Sequence, residues 1–281
     1  MSGQLRGPIQ LAALDVPLPR GKLWASNLTR WLAPPGKRSG ARILPPAALL
    51  LVWLIWAIPA VEFAMWLLDA PATALAGALP FWIVDAFNEL TDFGKSGWFL
   101  IPIGIAIVLA AALVTPSTDR MTDRVLTSLI VRLEFIFAAI ALPSLFVTIV
   151  KRLIGRVRPS EHGPFAYVPW SWRPEYASMP SGHATTAVAA AVAISLVWPR
   201  ARVVMAVYAV IIMASRVIIQ AHFLSDVIAA AFVGALGAIL VRNAFAAHGR
   251  VFVPGADGTA QVKPGPSWRR LKAVAARLTG R

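Results

Sequence analysis

Lys151 is followed, after six residues, by Arg158 and Pro159. Seven positions on a helix return to almost the same face, so the two cations would point the same way about two turns apart. Pro159 biases Arg158 out of helix and ends the element. Cations placed so can converge on one anion, or merely snorkel to a membrane interface. A second group, Pro180-Ser181-Gly182-His183, has the composition of a helix start. Ser181 is a favourable N-cap, Gly182 lets a ligand approach the backbone, and free amides at a helix start bind phosphate with help from the helix dipole. His183 would project from that first turn toward the anion. The third group is Ser215-Arg216, then His222, then Asp226. If helix continues through this stretch, His222 and Asp226 lie one turn apart. A carboxylate accepting one imidazole N–H fixes the tautomer and leaves the other nitrogen free to attack, and Arg216 adds a third cation. Each group alone has a bland reading: interfacial cations, an ordinary helix start, a structural ion pair. In one chain and in this order, they read best as the parts of a single anion site equipped for nucleophilic chemistry.

Elements that could position such a site follow from composition. Hydrophobic residues make up 58% of the 281 and charged residues 14%, too apolar a balance for a soluble domain, so the bilayer is the expected solvent. Cysteine is absent, which excludes a disulfide framework, a thiolate metal site and a cysteine nucleophile. A span needs about 20 mostly apolar residues. Six stretches qualify, over 44–68, 98–115, 127–150, 183–199, 203–221 and 225–245. All three groups fall at the same ends of these spans, in one layer.

The net charge of +14 sits mostly in two tails: seven Lys/Arg against Asp15 in residues 1–42, and eight against Asp257 in residues 242–281. Basic tails mark the cytoplasmic side, and no basic patch interleaved with stacking aromatics points to nucleic acid. No short apolar core of a cleavable signal is evident in the first 42 residues. The segment with Asp69, Asp85, Glu89 and Asp92 against Lys95 is acidic, as expected outside, whereas Pro199-Arg200-Ala201-Arg202 is basic, as expected inside. Both termini are thus expected in the cytoplasm. Residues 151–180 break the rule: they face outward by counting, yet carry Lys151, Arg152, Arg156, Arg158 and Arg173 against Glu161 and Glu175. An anion site explains the excess. Tyr167, Trp170, Trp172 and Tyr176 in the same connection suit the headgroup zone, as interfacial anchors or substrate contacts. Arg173 and Glu175 could pair with each other or touch a headgroup. Glu62, Arg132 and Glu134 read as packing or interface residues. Trp24, Leu28, Trp31 and Leu32, and again Trp268, Leu271, Val274, Ala275 and Leu278, recur at helical spacing and could lie flat on the inner leaflet. The expected organisation is a basic segment 1–43, a membrane domain 44–245 and a basic tail 246–281.

The ordered set Lys151…Arg158-Pro159, Pro180-Ser181-Gly182-His183 and Ser215-Arg216…His222…Asp226 resembles the tripartite signature of the type 2 phosphatidic acid phosphatase superfamily, at every signature position. The resemblance covers roughly residues 98–245. It implies an all-α, six-span membrane protein of the bacterial inner membrane, with a helical-bundle phosphatase core opening to the periplasm. It further implies that His222 attacks phosphorus to form a phosphohistidine, Asp226 orients it, and His183 protonates the leaving oxygen and then activates water. Lys151, Arg158, Arg216, Ser181 and Gly182 would hold the nonbridging oxygens, taking the place of a metal, so no metal or other cofactor is expected. The implied substrate is a lipid phosphate or diphosphate, with undecaprenyl diphosphate ranked first, lipid A phosphate second, and phosphatidylglycerol phosphate or phosphatidate next. A phosphotransferase using the same phosphohistidine stays open, as, more remotely, does a non-catalytic scaffold or transporter. Oligomeric state is not legible.

Overall fold

The computed structural model describes residues 20–32, 43–113, 118–161, 163–254 and 260–279. Most of the N-terminal segment 1–43 lies outside these, including residues 1–19 and 33–42. The chain is mostly helical. Helix α1 is Arg20–Leu32, α2 is Ala47–Phe63, and α3 (Asp69–Gly77) continues α2 through a π-helical turn at Ala64–Leu68. Then follow α4 (Phe81–Thr91), α5 (Gly97–Leu113), α6 (Arg120–Ile154), α7 (Gly182–Val197), α8 (Arg202–Ile218) and α9 (Leu224–Ala247). A short antiparallel ribbon of β1 (Phe252–Pro254) and β2 (Ala260–Val262) precedes α10 (Trp268–Leu278). That ribbon is a small departure from the all-helical reading.

Among the described residues, five stretches are long and apolar enough to cross a membrane: Ala47–Gly77, Phe81–Ala112, Arg120–Ile154, Pro199–Ile218 and Leu224–Ala247. The apolar α7 is shorter. The first stretch outruns the expected 44–68 because Asp69 does not end it. That carboxylate is fully buried and paired, so a charge that reads as a span boundary sits inside the protein. Likewise the acidic segment between the first two expected spans is largely helical, in α3 and α4.

Helix α7 packs against α6, α8 and α9. Its alanines make this possible: Ala184, Ala187, Ala189, Ala190 and Ala193 are fully buried, and small residues let helix backbones approach where lipid offers no hydrophobic driving force. Gly234 of α9 continues the theme, since a Cβ there would lie 2.7 Å from the Thr185 carbonyl oxygen. The α2 residues Ile55 and Trp56 and the α5 residues Ile101 and Ile105 stay exposed, as expected of lipid-facing surface. Phe252 of β1 stacks edge-on against Phe135 of α6 at 4.8 Å. The buried Glu134 pairs with Arg250 at 2.5 Å, and Arg132 donates to the Lys263 carbonyl at 2.8 Å, so both α6 residues fasten the ribbon, a packing role. Glu62 accepts from the Trp66 indole at 3.2 Å. Helix α1 lies along α5, with Asn27 donating to the Ala111 carbonyl at 3.0 Å and Leu28 packed nearby; the side chains of Trp31 and Leu32 lie outside the described part.

Candidate active site

Four helix ends meet at one layer: the C-termini of α6 and α8 and the N-termini of α7 and α9. Helix α6 is started by Asp119, whose carboxylate accepts from the Met121 and Thr122 amides at 2.9 and 3.1 Å. It stops at Ile154 because Gly155 takes the left-handed conformation (φ 67°) and caps the Lys151 carbonyl. A Cβ at Gly155 would lie 1.9 Å from the Val168 carbonyl oxygen. Helix therefore ends four residues before Arg158, and the expectation that Lys151 and Arg158 share one helix face does not hold. They converge by another route. The chain beyond Gly155 runs back across the site, with Val157 donating to Ala166, Arg158 to the Glu175 carbonyl and Ser178 to the Arg156 carbonyl, each at 3.0 Å.

The second group starts α7 as expected. Ser181 takes the N-cap position in extended conformation, but its hydroxyl makes no capping bond, and its Oγ is buried without a hydrogen-bond partner. Lys151 hovers above this turn: a Cβ built on Gly182 would sit 4.0 Å from Nζ. The Ser181 amide donates to the Asp226 carbonyl at 3.2 Å, which ties the second group to the third. His183 packs on Gly94, where a Cβ would come within 3.1 Å of its ring.

The third group is not one continuous helix. Helix α8 ends at Ile218, Gln220 adopts a positive φ of 53°, and α9 begins at Leu224, leaving His222 in the turn between them. Asp226 occupies the third position of α9 and accepts from the Phe223 amide at 2.9 Å. His222 Nδ1 still faces Asp226 Oδ2, across 3.8 Å, longer than a hydrogen bond. Ser178 lies beside both, its hydroxyl 2.5 Å from Oδ2 and 3.5 Å from Nδ1. With Nδ1 turned toward the carboxylate, Nε2 is the nitrogen left for chemistry. Burial lowers the His222 pKa to about 4, helped by Arg216 and Arg158 and opposed by Asp226, so the ring is neutral near pH 7.

Beneath the imidazole lies a buried ion-pair network at positions that sequence spacing does not reveal. Arg156, fully buried, donates to Asp226 Oδ1 at 2.6 Å, Ser225 Oγ at 2.7 Å and Asp69 Oδ2 at 2.7 Å. Asp69 also accepts from the Ser225 amide at 2.8 Å. Burial works against the Arg156 charge, but the Asp226 and Asp69 carboxylates outweigh it and raise its pKa. Arg158, two residues on, shows the opposite balance. Burial lowers its pKa despite Glu175 and Asp226, and its Nε is buried without a partner. Arg216, also buried, donates to Thr91 Oγ1 at 2.7 Å, while its Nε too is unpartnered. Ser215 Oγ lies 2.9 Å from the same Thr91 oxygen. Lys151, Arg158 and Arg216 are near enough to repel one another, and His183 feels Arg216, His222 and Lys151. The eight residues expected to form a site are therefore gathered in one layer. Thr91, Asp69, Arg156, Ser178 and Ser225 join them; the sequence singles out only Arg156, as one of the excess cations of 151–180, and Asp69, as part of an acidic segment rather than of a site.

Two comparisons identify the family. The sequence profile of the PAP2 superfamily matches residues 132–250, which contain all three groups. The lipid A 1-phosphatase of Rhizobium johnstonii is 34% identical over 244 residues, covering 84% of this chain and 94% of that protein. The chain belongs to the PAP2 superfamily. A second relative, the lipid A 1-phosphatase of Rhizobium etli, is 33% identical over 206 residues, or 72% of this chain and 87% of that one. Among solved structures, a transmembrane PAP2-type phosphatidylglycerolphosphate phosphatase from Bacillus subtilis aligns with TM-score 0.48 at 23% identity, covering 70% of this chain and 94% of that one. This PAP2 protein is an integral-membrane phosphatase, a phosphoric monoester hydrolase.

The aromatic loop of this PAP2 phosphatase rests on the outer rim of the site. Arg152 donates to the Trp172 carbonyl and stacks over its ring, while Trp66 meets Phe165 at 4.6 Å. Trp170 and Trp172 are 74% and 80% exposed, which suits rings lying among headgroups better than rings buried against a bound phosphate.

Proposed function

We propose that this protein hydrolyses the phosphomonoester of a membrane lipid, lipid A 1-phosphate foremost, through a phosphohistidine on His222. The observation that carries the reading is the group of unpartnered polar atoms around two imidazoles. Ser181 Oγ, Arg158 Nε and Arg216 Nε are buried donors without acceptors, and Lys151 Nζ stands over the α7 amides beside them. Buried donors of this kind are costly unless an acceptor-rich anion completes them. A phosphoryl group supplies three nonbridging oxygens.

His222 Nε2 attacks phosphorus in line, forming the N–P bond as the bond to the lipid oxygen breaks. His183, protonated once the negative charge of the bound phosphate stands beside it, gives its proton to that leaving oxygen. The phosphoimidazolium is stabilised by Asp226, whose own position is fixed by Arg156, Ser178 and the Phe223 amide. His183, now neutral, takes a proton from water as its oxygen attacks phosphorus; the N–P bond breaks, inorganic phosphate leaves and His222 is regenerated. Lys151, Arg158 and Arg216 neutralise the charge that spreads over the equatorial oxygens, so turnover is expected to survive EDTA.

Family analogy alone ranks undecaprenyl diphosphate first. The name shared by two relatives that match most of their length favours lipid A 1-phosphate instead. We place the phosphatase domain at 44–245, between the basic segments 1–43 and 246–281, with α7 as a sixth span, both termini cytoplasmic and the site periplasmic. The basic tails and the helix polarity support that arrangement. The test is release of inorganic phosphate from a panel of lipid phosphates by purified protein and by His222→Ala, with no acceptor lipid present. Release from lipid A, lost in the variant, is expected; equal release by both proteins removes the nucleophile assignment. Substrate consumed only when an acceptor lipid is present, with the phosphoryl group recovered on that lipid instead of as inorganic phosphate, would mark a transferase.

A further inference from the structure

At the far end of α6, about 40 Å from Lys151 by helix rise, lies a second cation-rich place that catalysis does not use. A cavity of about 430 Å³ opens between the first turns of α6 and the segment joining β2 to α10. Arg120, Arg124 and Arg270 line it, over an apolar floor that includes Met121, Val125 and Pro266. A neighbouring cavity of about 280 Å³ shares Arg124 and adds Lys263. Acidic groups near by are few. Asp119 is engaged with Arg277 at 2.9 Å and with the α6 amides, and Asp123 lines only the smaller cavity. The Arg120, Arg124 and Arg270 guanidinium groups have no hydrogen-bonded or ion-paired partner among the described residues.

The cavity has the size of a small-ligand site and the chemistry of an amphiphile: cations at the rim, apolar wall below. Its outer lip is α10, whose Val274 is buried against the protein while Trp268 is exposed, as in a helix lying at a lipid interface. A positive tail alone needs no cavity. Here three guanidinium groups unpaired among the described residues converge on one, beside an apolar floor of Met121, Val125 and Pro266. We propose that this cavity binds the phosphate headgroup of an anionic phospholipid from the leaflet opposite the phosphoryl site, seating α10 on the membrane.

The experiment is native mass spectrometry of the full-length protein in detergent, titrated with phosphatidylglycerol, with phosphatidylcholine, and with phosphatidylglycerol plus inorganic phosphate. Phosphatidylglycerol is expected to bind on the order of 100-fold more tightly than phosphatidylcholine, from three cations at a membrane surface. Arg120→Gln with Arg124→Gln and Arg270→Gln should abolish that preference while phosphatase turnover is retained, since none of the three approaches the phosphoryl site. An unchanged preference in the triple variant overturns the proposal, as does equal binding of the two lipids. Displacement by millimolar inorganic phosphate assigns the cavity to a free anion and overturns the lipid. Should the triple variant lose turnover through misfolding, Arg124→Gln alone, exposed and shared by both cavities, carries the test and should weaken the preference severalfold. Because turnover is read separately, failure of this site leaves the proposed reaction standing, and the reverse.

Discussion

At the residue scale, the proposed reaction turns on the protonation state of His222. A nucleophile must be neutral, and burial together with Arg216 and Arg158 lowers its pKa from 6.5 to about 4. The neutral form therefore persists as pH falls through 6.5 and is lost only near 4. The acid limb of kcat/KM set by the free enzyme is expected near pH 4 to 5 rather than near 6.5; a limb at 6.5 unaffected by Asp226→Asn would contradict the assignment. Asp226→Asn removes the carboxylate that opposes the shift and stabilises the phosphoimidazolium. Turnover should fall by roughly 10²- to 10⁴-fold with a much smaller change in KM, measured by phosphate release. His222, His183 and Asp226 were legible as candidates because a nucleophile, an acid and an orienting carboxylate are drawn from few residue types. Ser178 and Thr91 were not, because a hydroxyl that positions a partner from a distant element has no distinctive local spacing.

At the element scale, helix ends hold the site, and here sequence periodicity both succeeds and misleads. Pro159 reads as the end of the element, yet helix stops earlier, at Gly155, whose φ of 67° turns the chain and brings Arg156 and Arg158 back over α7 and α9. Gly155→Ala should destabilise the protein by roughly 1–3 kcal/mol and lower turnover, because the left-handed backbone and the Val168 carbonyl both resist a side chain. Thermal unfolding in detergent measures the first effect and phosphate release the second. Asp69 is the other lesson. As an acid at the end of an apolar run it reads as the edge of a span, whereas its burial depends on Arg156, 87 positions away. Asp69→Asn leaves half of a buried pair, and a loss of about 3–5 kcal/mol is expected. A surface charge would give a loss near zero, so unfolding of this variant separates the two readings.

At the scale of the whole molecule, the amino-acid pattern announces a membrane bundle, and helix lengths bear that out with five long apolar stretches and the shorter α7 among the described residues. Span boundaries were harder to read, because hydropathy cannot tell a charge facing lipid from one paired inside. The fold gathers three groups far apart along the chain, and in the proposed reaction the cations it brings together take the role a metal would fill. Turnover should be the same in EDTA as in magnesium; loss on chelation with rescue by magnesium would argue against the cation cluster. The central claim is that these groups hold one phosphoryl group while His222 bonds to it. The most direct measurement is an alkaline quench of enzyme turning over ³²P-labelled lipid phosphate, followed by mapping of the labelled peptide. Alkali-stable label on the peptide containing His222, absent from His222→Ala, is the expected result. Label on another residue, or undiminished turnover by the variant, would contradict it.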